Sequence, residues 1–166
     1  MKAQADAFEA AGGYVDKFMG DGMMAYFSVH EGADAVAVAA LCEGALDAAL
    51  AAHRGVMAVP MEGEPLALRV GLHLGEALAG NFGSDQRMQV TLLGADVNTA
   101  ARLEQAKPDT LIGAVEDTVL GDIRVSQEFF DALPEERRAH LPYQAVVKAK
   151  QADIPLHSGP PRGEVV

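Results

Sequence analysis

Residues 12–29 read Gly12-Gly13-Tyr14-Val15-Asp16-Lys17-Phe18-Met19-Gly20-Asp21-Gly22-Met23-Met24-Ala25-Tyr26-Phe27-Ser28-Val29, two apolar runs around a Gly-Asp-Gly turn. An Asp-Gly pair between such runs predicts a β-hairpin, because only a tight turn of this chemistry returns the chain antiparallel within two residues. The turn projects Asp21 at its tip, where a carboxylate can meet a divalent cation with hard oxygen ligands. Along the incoming strand, simple alternation puts Lys17 on one face and Asp16 and Phe18 on the other.

Outward from the hairpin, the chain alternates between helical and extended patterns. Residues 2–11 form an Ala-rich helix closed by Gly12 and Gly13. Gly32 to Val56 predicts a long helix with Val38, Leu41, Leu46 and Leu50 on its buried face. Asp34, Glu43, Asp47, His53 and Arg54 interrupt this apolar stretch, which marks a soluble helix and not a membrane span. In Leu66 to Leu74, Leu68, Val70, Leu72 and Leu74 alternate with Arg69, Gly71 and His73, as a strand requires. Residues 76–82 and 88–93 predict two further strands around the polar turn 83–87. A helix from Ala95 to Gln105 ends ahead of Pro108. Ile123–Val125 is a short strand, Ser126 caps the following helix, and Tyr143 to Lys148 forms a last strand. Residues 1–150 are thus expected to form one domain, and 151–166, rich in Gly and Pro, a C-terminal tail. This order predicts an α+β sandwich, with helices on one face of a mainly antiparallel sheet.

Nearly half of the 166 residues are apolar, enough for a real core, and the formal net charge is -11. So acidic a chain is not built as a general nucleic-acid binder. An anionic ligand would need metal ions or a few locally placed cations. Cys42 is the only cysteine, which excludes an intrachain disulfide and a Cys-based zinc cluster. It sits among Ala, Val and Leu as a small core residue. The first residues lack the apolar core of a signal peptide, so a cytoplasmic location is expected. His30, His53, His73, His140 and His157 show no metal-like spacing, and Glu135 to Arg138 reads as a solvated helix face.

A second constellation is Thr91-Leu92-Leu93-Gly94-Ala95-Asp96-Val97-Asn98-Thr99-Ala100-Ala101-Arg102, a strand feeding a helix through Gly94. Asn98 and Arg102 lie four apart and share one helix face. Small residues between them let the helix pack closely on a sheet. An Arg and an Asn projecting together suit negative charge developing on a phosphoryl group and a sugar oxygen.

Taken in order, Lys17-x-x-x-Asp21, Arg69-Val70-Gly71-Leu72-His73-Leu74-Gly75-Glu76, Gly80-Asn81-Phe82-Gly83 and Val97-Asn98-x-Ala100-Ala101-Arg102 closely resemble the class III adenylate and guanylate cyclases. The resemblance runs from Gly12 to Glu104 and, more weakly, from Ser126 to Lys150. It implies a ferredoxin-like α/β sandwich that works as a homodimer or a heterodimer with another cyclase domain. ATP would be cyclised at the dimer interface with two divalent ions, Mg2+ or Mn2+. Asp21 matches a metal-binding aspartate, and Lys17 with Thr91 matches the pair that reads adenine. Asn98 matches the ribose-orienting residue and Arg102 the residue that stabilises the transferring phosphate. Lys148, in Val147-Lys148-Ala149-Lys150, matches a triphosphate contact, although the family's Lys-Gly-Lys reads Lys-Ala-Lys here.

The family's first metal aspartate stands on a strand several tens of residues before the hairpin. Only 16 residues precede Lys17, and Asp6 and Asp16 are poor substitutes, so that strand and one carboxylate are expected to be missing. The alternative to an active cyclase is a module of the same fold that binds nucleotide or mediates dimerisation without catalysis.

Overall fold

The computed structural model describes residues 1–60, 62–63, 66–84, 87–150, 152–160 and 164. Asp85 and Gln86 of the expected polar turn lie outside the described residues, as do residues 151, 161–163, 165 and 166 of the expected tail.

A short helix α1 (Lys2–Ala10) precedes the first hairpin, β1 (Tyr14–Met19) and β2 (Gly22–Tyr26). Met19 pairs with Gly22, so the loop is Gly20-Asp21 alone. Gly20 takes φ +63° while no non-glycine residue among the described residues has positive φ, the pattern of a II′ turn with glycine at its first central position. The helix α2 (Ala35–Met57) starts at Asp34, whose carboxylate accepts the Ala37 N–H at 2.8 Å. This helix is long and apolar enough to cross a membrane. Here it is instead the core helix, burying Cys42, Leu46, Ala49, Leu50, Ala52, His53 and Val56. Full burial of Leu46 alone contributes about 2 kcal/mol.

Next come β3 (Val70–Leu72), the hairpin β4 (Leu78–Ser84) and β5 (Arg87–Leu93), and the helix α3 (Ala95–Gln105). A 3-10 turn at Pro108–Thr110 leads to β6 (Ile123–Ser126), α4 (Gln127–Ala132), α5 (Glu135–Arg138), β7 (Tyr143–Val147) and β8 (Ile154–Gly159). The expected α+β class holds, and every strand pairing but the parallel one between β3 and β6 is antiparallel. However, the described strands distribute over three sheets: β1-β2, β4-β5, and a four-stranded sheet ordered β3-β6-β8-β7. The first hairpin and β3 pack on the same core without pairing to each other. Met23, Ala25 and Phe27 join Leu68, Val70 and Leu74 around α2. A second, smaller cluster centres on Leu103, Leu111, Val147 and Leu156.

Three expectations are corrected. The tail contains β8, which lies between β6 and β7, so the domain does not end at residue 150. Leu156 is buried in the second cluster and Ser158 Oγ accepts the Gly121 N–H at 3.0 Å. Pro155 and Gly159 hid this strand, because both residues are usually excluded from strand interiors. The strand expected over Leu66–Leu74 shrinks to three residues, the length over which β6 pairs with it, although its apolar alternation faces the core as read. Finally, Glu135 to Arg138 is more than a solvated face. Arg137 pairs with Asp47 of α2, and Arg138 donates to the Leu133 and Asp131 carbonyls.

Candidate functional site

The hairpin β1-β2 and strand β5 meet at Lys17 and Thr91. Lys17 Nζ donates to Thr91 Oγ1 at 2.6 Å, across 74 residues of sequence. Thr91 Oγ1 in turn donates to Asp16 Oδ2 at 2.8 Å, and Lys17 Nζ lies 3.2 Å from the same carboxylate oxygen. Asp16 was expected on the face opposite Lys17. A register shift between Val15 and Lys17 overturns that expectation, since Val15 pairs with Ala25 and Lys17 with Met24. The extra residue of this β-bulge is Asp16, and the bulge re-aims its side chain toward Lys17. The Asp16 side chain is 4% exposed, against 27% for Lys17, so the acid is a buried support and the amine reaches outward.

Asp21 is exposed at the hairpin tip, and its carboxylate makes no hydrogen bond or ion pair among the described residues. Asp6 pairs instead with Lys2 at 2.8 Å, and Asp16 with Lys17 at 3.2 Å. No group of three His, Cys, Asp or Glu side chains among the described residues could hold a metal ion. Asp21 is thus an exposed hard-ligand carboxylate that belongs to no such group.

The helix α3 carries Asn98 and Arg102, both exposed. Asn98 Nδ2 donates to the Gly94 carbonyl at 3.3 Å, one turn back. Arg102 lines a cleft of about 490 Å³ together with Arg69, Lys107 and Lys148, with Asp109 the one acid on its wall. Lys148 follows β7 directly, its N–H held by the Thr110 carbonyl at 2.9 Å. The structure thus gathers the expected residues into two groups, Lys17 with Thr91 and Arg102 with Lys148. Asn98 sits a turn from Arg102, and Asp21 belongs to neither group.

Both ends of α3 are fastened by residues that the sequence reading did not assign to the site. At the N-terminal end Asp96 Oδ2 accepts the Glu76 N–H at 2.7 Å, and Oδ1 lies 3.4 Å from His73 Nε2. An acid in the first turn also favours the helix dipole. On its other side the His73 ring places Nδ1 2.8 Å from Ser126 Oγ, which also accepts the Phe129 N–H. At the C-terminal end buried Arg124 donates to the carbonyls of Leu103, Glu104 and Ala106, a cation closing the negative end of the helix. Along its length α3 lies directly on β3 at Gly71, where a Cβ would overlap the Ala100 carbonyl oxygen.

The α+β fold thus carries a lysine–threonine pair at one end and an Asn/Arg helix beside a cationic cleft. The model of the adenylate and guanylate cyclase catalytic domain matches residues 6–137, and the chain belongs to that family. An adenylate cyclase of Anabaena cylindrica is 32% identical over 101 residues, which cover 59% of this chain and 19% of that protein. The chain therefore spans about a fifth of that relative's length. Among solved structures, the guanylyl cyclase Cya2 superposes with a TM-score of 0.61 at 26% identity, over 98% of this chain and 76% of that one. The adenylyl cyclase CyaB from P. aeruginosa superposes with a TM-score of 0.67 at 22% identity, covering 98% and 78%, and shares the fold.

Proposed function

We propose that this chain is an adenylate-type cyclase domain, turning ATP into 3′,5′-cyclic AMP and pyrophosphate at a site completed by a second cyclase domain. The observation that carries the reading is the 2.6 Å contact between Lys17 and Thr91. That pair supplies one N–H donor for adenine N1 and one oxygen acceptor for the 6-amino group. Guanine presents the reverse order at these two positions.

In this reading Asn98, next along the chain on α3, orients the ribose so that its 3′-oxygen faces the α-phosphate. The 3′-oxygen forms a bond to the α-phosphorus, the bond to the bridging oxygen breaks, and pyrophosphate leaves with its electron pair. The 3′-hydroxyl proton passes to solvent. Arg102 places a permanent cation against the charge that grows on the phosphate, and Lys148 holds the leaving end in the same cleft. Divalent ions, Mg2+ or Mn2+, are the family's expected cofactors. Among the described residues Asp21 would supply one hard ligand, and no group of three His, Cys, Asp or Glu side chains surrounds it.

The single metal carboxylate also favours a second reading, a nucleotide-binding or dimerising module without turnover. Purified chain incubated with Mn-ATP separates the two. Cyclic AMP formation that falls about 100-fold or more in Arg102→Ala, with ATP binding retained, supports the cyclase. ATP binding without product supports the module. In either case Lys17→Glu combined with Thr91→Cys lowers ATP affinity, and unchanged ATP preference refutes the base-reading assignment.

A further inference from the structure

Resting on the base-reading role of Lys17 and Thr91, we propose that Asp16 sets the purine preference by holding the Thr91 hydroxyl proton inward, so that Thr91 meets the base only as an acceptor. A threonine hydroxyl has one proton and two lone pairs, and on its own can rotate to donate or to accept. Here the proton is directed to Asp16 Oδ2 at 2.8 Å, and one lone pair receives Lys17 Nζ at 2.6 Å. One lone pair of the Thr91 oxygen remains for a ligand, on a residue that is 6% exposed. Lys17 is constrained in the same way. One N–H goes to Thr91, a second faces Asp16 at 3.2 Å, and one is left for a ligand.

A 6-amino purine satisfies both remaining groups. A 6-oxo purine brings an oxygen against the Thr91 lone pair and an N–H against the Lys17 ammonium, leaving two polar contacts unmet in a partly buried site. The β-bulge is what makes this possible, because regular pleating would have sent Asp16 to the other face. Asp16 touches no base atom in this scheme. It acts through Thr91 and Lys17 and is a positioning residue.

The test is equilibrium binding of ATP and inosine triphosphate, with Mn2+, to the wild type and to Asp16→Asn. The substitution keeps the shape, but its amide can turn either way and releases the hydroxyl. The wild type is expected to favour ATP by about tenfold or more, and Asp16→Asn to bring the two nucleotides within about twofold, mainly by tighter inosine triphosphate binding. Adding Asp16→Asn to Thr91→Val should change the ratio far less than adding it to the wild type, since without the hydroxyl Asp16 keeps only its contact with Lys17. Matching far-UV circular dichroism and melting confirm that the variants fold. An ATP preference that survives Asp16→Asn unchanged overturns the proposal and leaves the base reading standing. Equal binding of the two nucleotides by the wild type, or binding of neither, overturns both. A ligand-free readout is the Thr91 hydroxyl proton in NMR, slowly exchanging in the wild type and lost in Asp16→Asn; fast exchange in the wild type also overturns the proposal.

Discussion

Replacing Gly71 by Ala adds one methyl group at the point where β3 and α3 touch. Gly71 has no left-handed backbone angle, so the substitution introduces no φ strain and its effect is steric. The new Cβ would overlap the Ala100 carbonyl oxygen, would lie 2.6 Å from the Glu104 nitrogen and would come 3.1 Å from the Glu104 Cβ. Two of these three atoms are helix backbone, which cannot rotate away. Reaching an ordinary 3.4 Å contact requires α3 to retreat by about 0.8 Å at Glu104, and further at Ala100. The Asp96 contacts and Arg124 cap resist that movement from both ends. Overpacking of this kind costs about 1–3 kcal/mol. For a chain of 166 residues that lowers Tm by roughly 3–9 °C. Asn98 and Arg102 ride on the displaced helix, and misplacement near 1 Å lowers turnover by about 100-fold. Differential scanning calorimetry and the cyclic AMP assay measure the two effects. Ala at 71 with unchanged Tm and unchanged turnover would refute the view that close β3–α3 packing positions the site.

Other perturbations follow from the same structure. Burial pushes the Cys42 thiol up to about 11, so at pH 8 only about one thiol in a thousand is ionised. Native protein should resist a disulfide-exchange reagent until it is unfolded, and rapid native labelling would contradict the packing of α2. Asp122→Ala strands buried His53, whose Nε2 lies 3.1 Å from the Asp122 carboxylate, and should cost about 3 kcal/mol by urea denaturation. His157 stacks on Phe130 at 3.5 Å, and its pKa is lowered, first by burial and then by Arg138, while Asp131 opposes the shift. The folded state thus favours the neutral ring, and its contribution is complete above the unfolded value of about 6.5 and lost as pH falls through it toward the folded pKa. Melting between pH 7.5 and 5 should show this loss, and His157→Gln should flatten it.

The hairpin and α3 were legible because each is written in local chemistry. Gly20-Asp21 dictates the turn, and Gly94 separates a β-branched strand from an Ala-rich helix. The four-residue spacing of Asn98 and Arg102 fixed their shared face without tertiary information. The parts that were not legible depend on partners distant in sequence. Val15-Asp16-Lys17 carries no composition that marks a bulge, and only the register against Met24 and Ala25 turns Asp16 inward. The role of Arg124 is set by the end of α3, which only the fold brings over it. β8 was masked by its proline and glycine, although Ile154 and Leu156 held the apolar alternation that its sheet uses.

The net charge of -11 looked unsuited to a phosphate ligand, and the fold answers this by placement. Of 13 Lys and Arg residues, Arg69, Arg102, Lys107 and Lys148 converge on one cleft that contains a single acid, Asp109. They come from the chain just before β3, the last turn of α3, the turn after it and the end of β7, which no stretch of sequence joins. Arg69 is partly engaged by Glu104 at 3.2 Å, whereas Arg102 has no hydrogen-bond or ion-pair partner among the described residues. An unpaired guanidinium in a locally positive cleft gains more from an arriving phosphate than one already neutralised. With a formal net charge of -11 over the chain, these four cations are where the proposed function would seat the phosphates. Salt should therefore weaken nucleotide binding through these four cations, and Arg102→Ala should reduce that salt dependence more than Arg69→Ala.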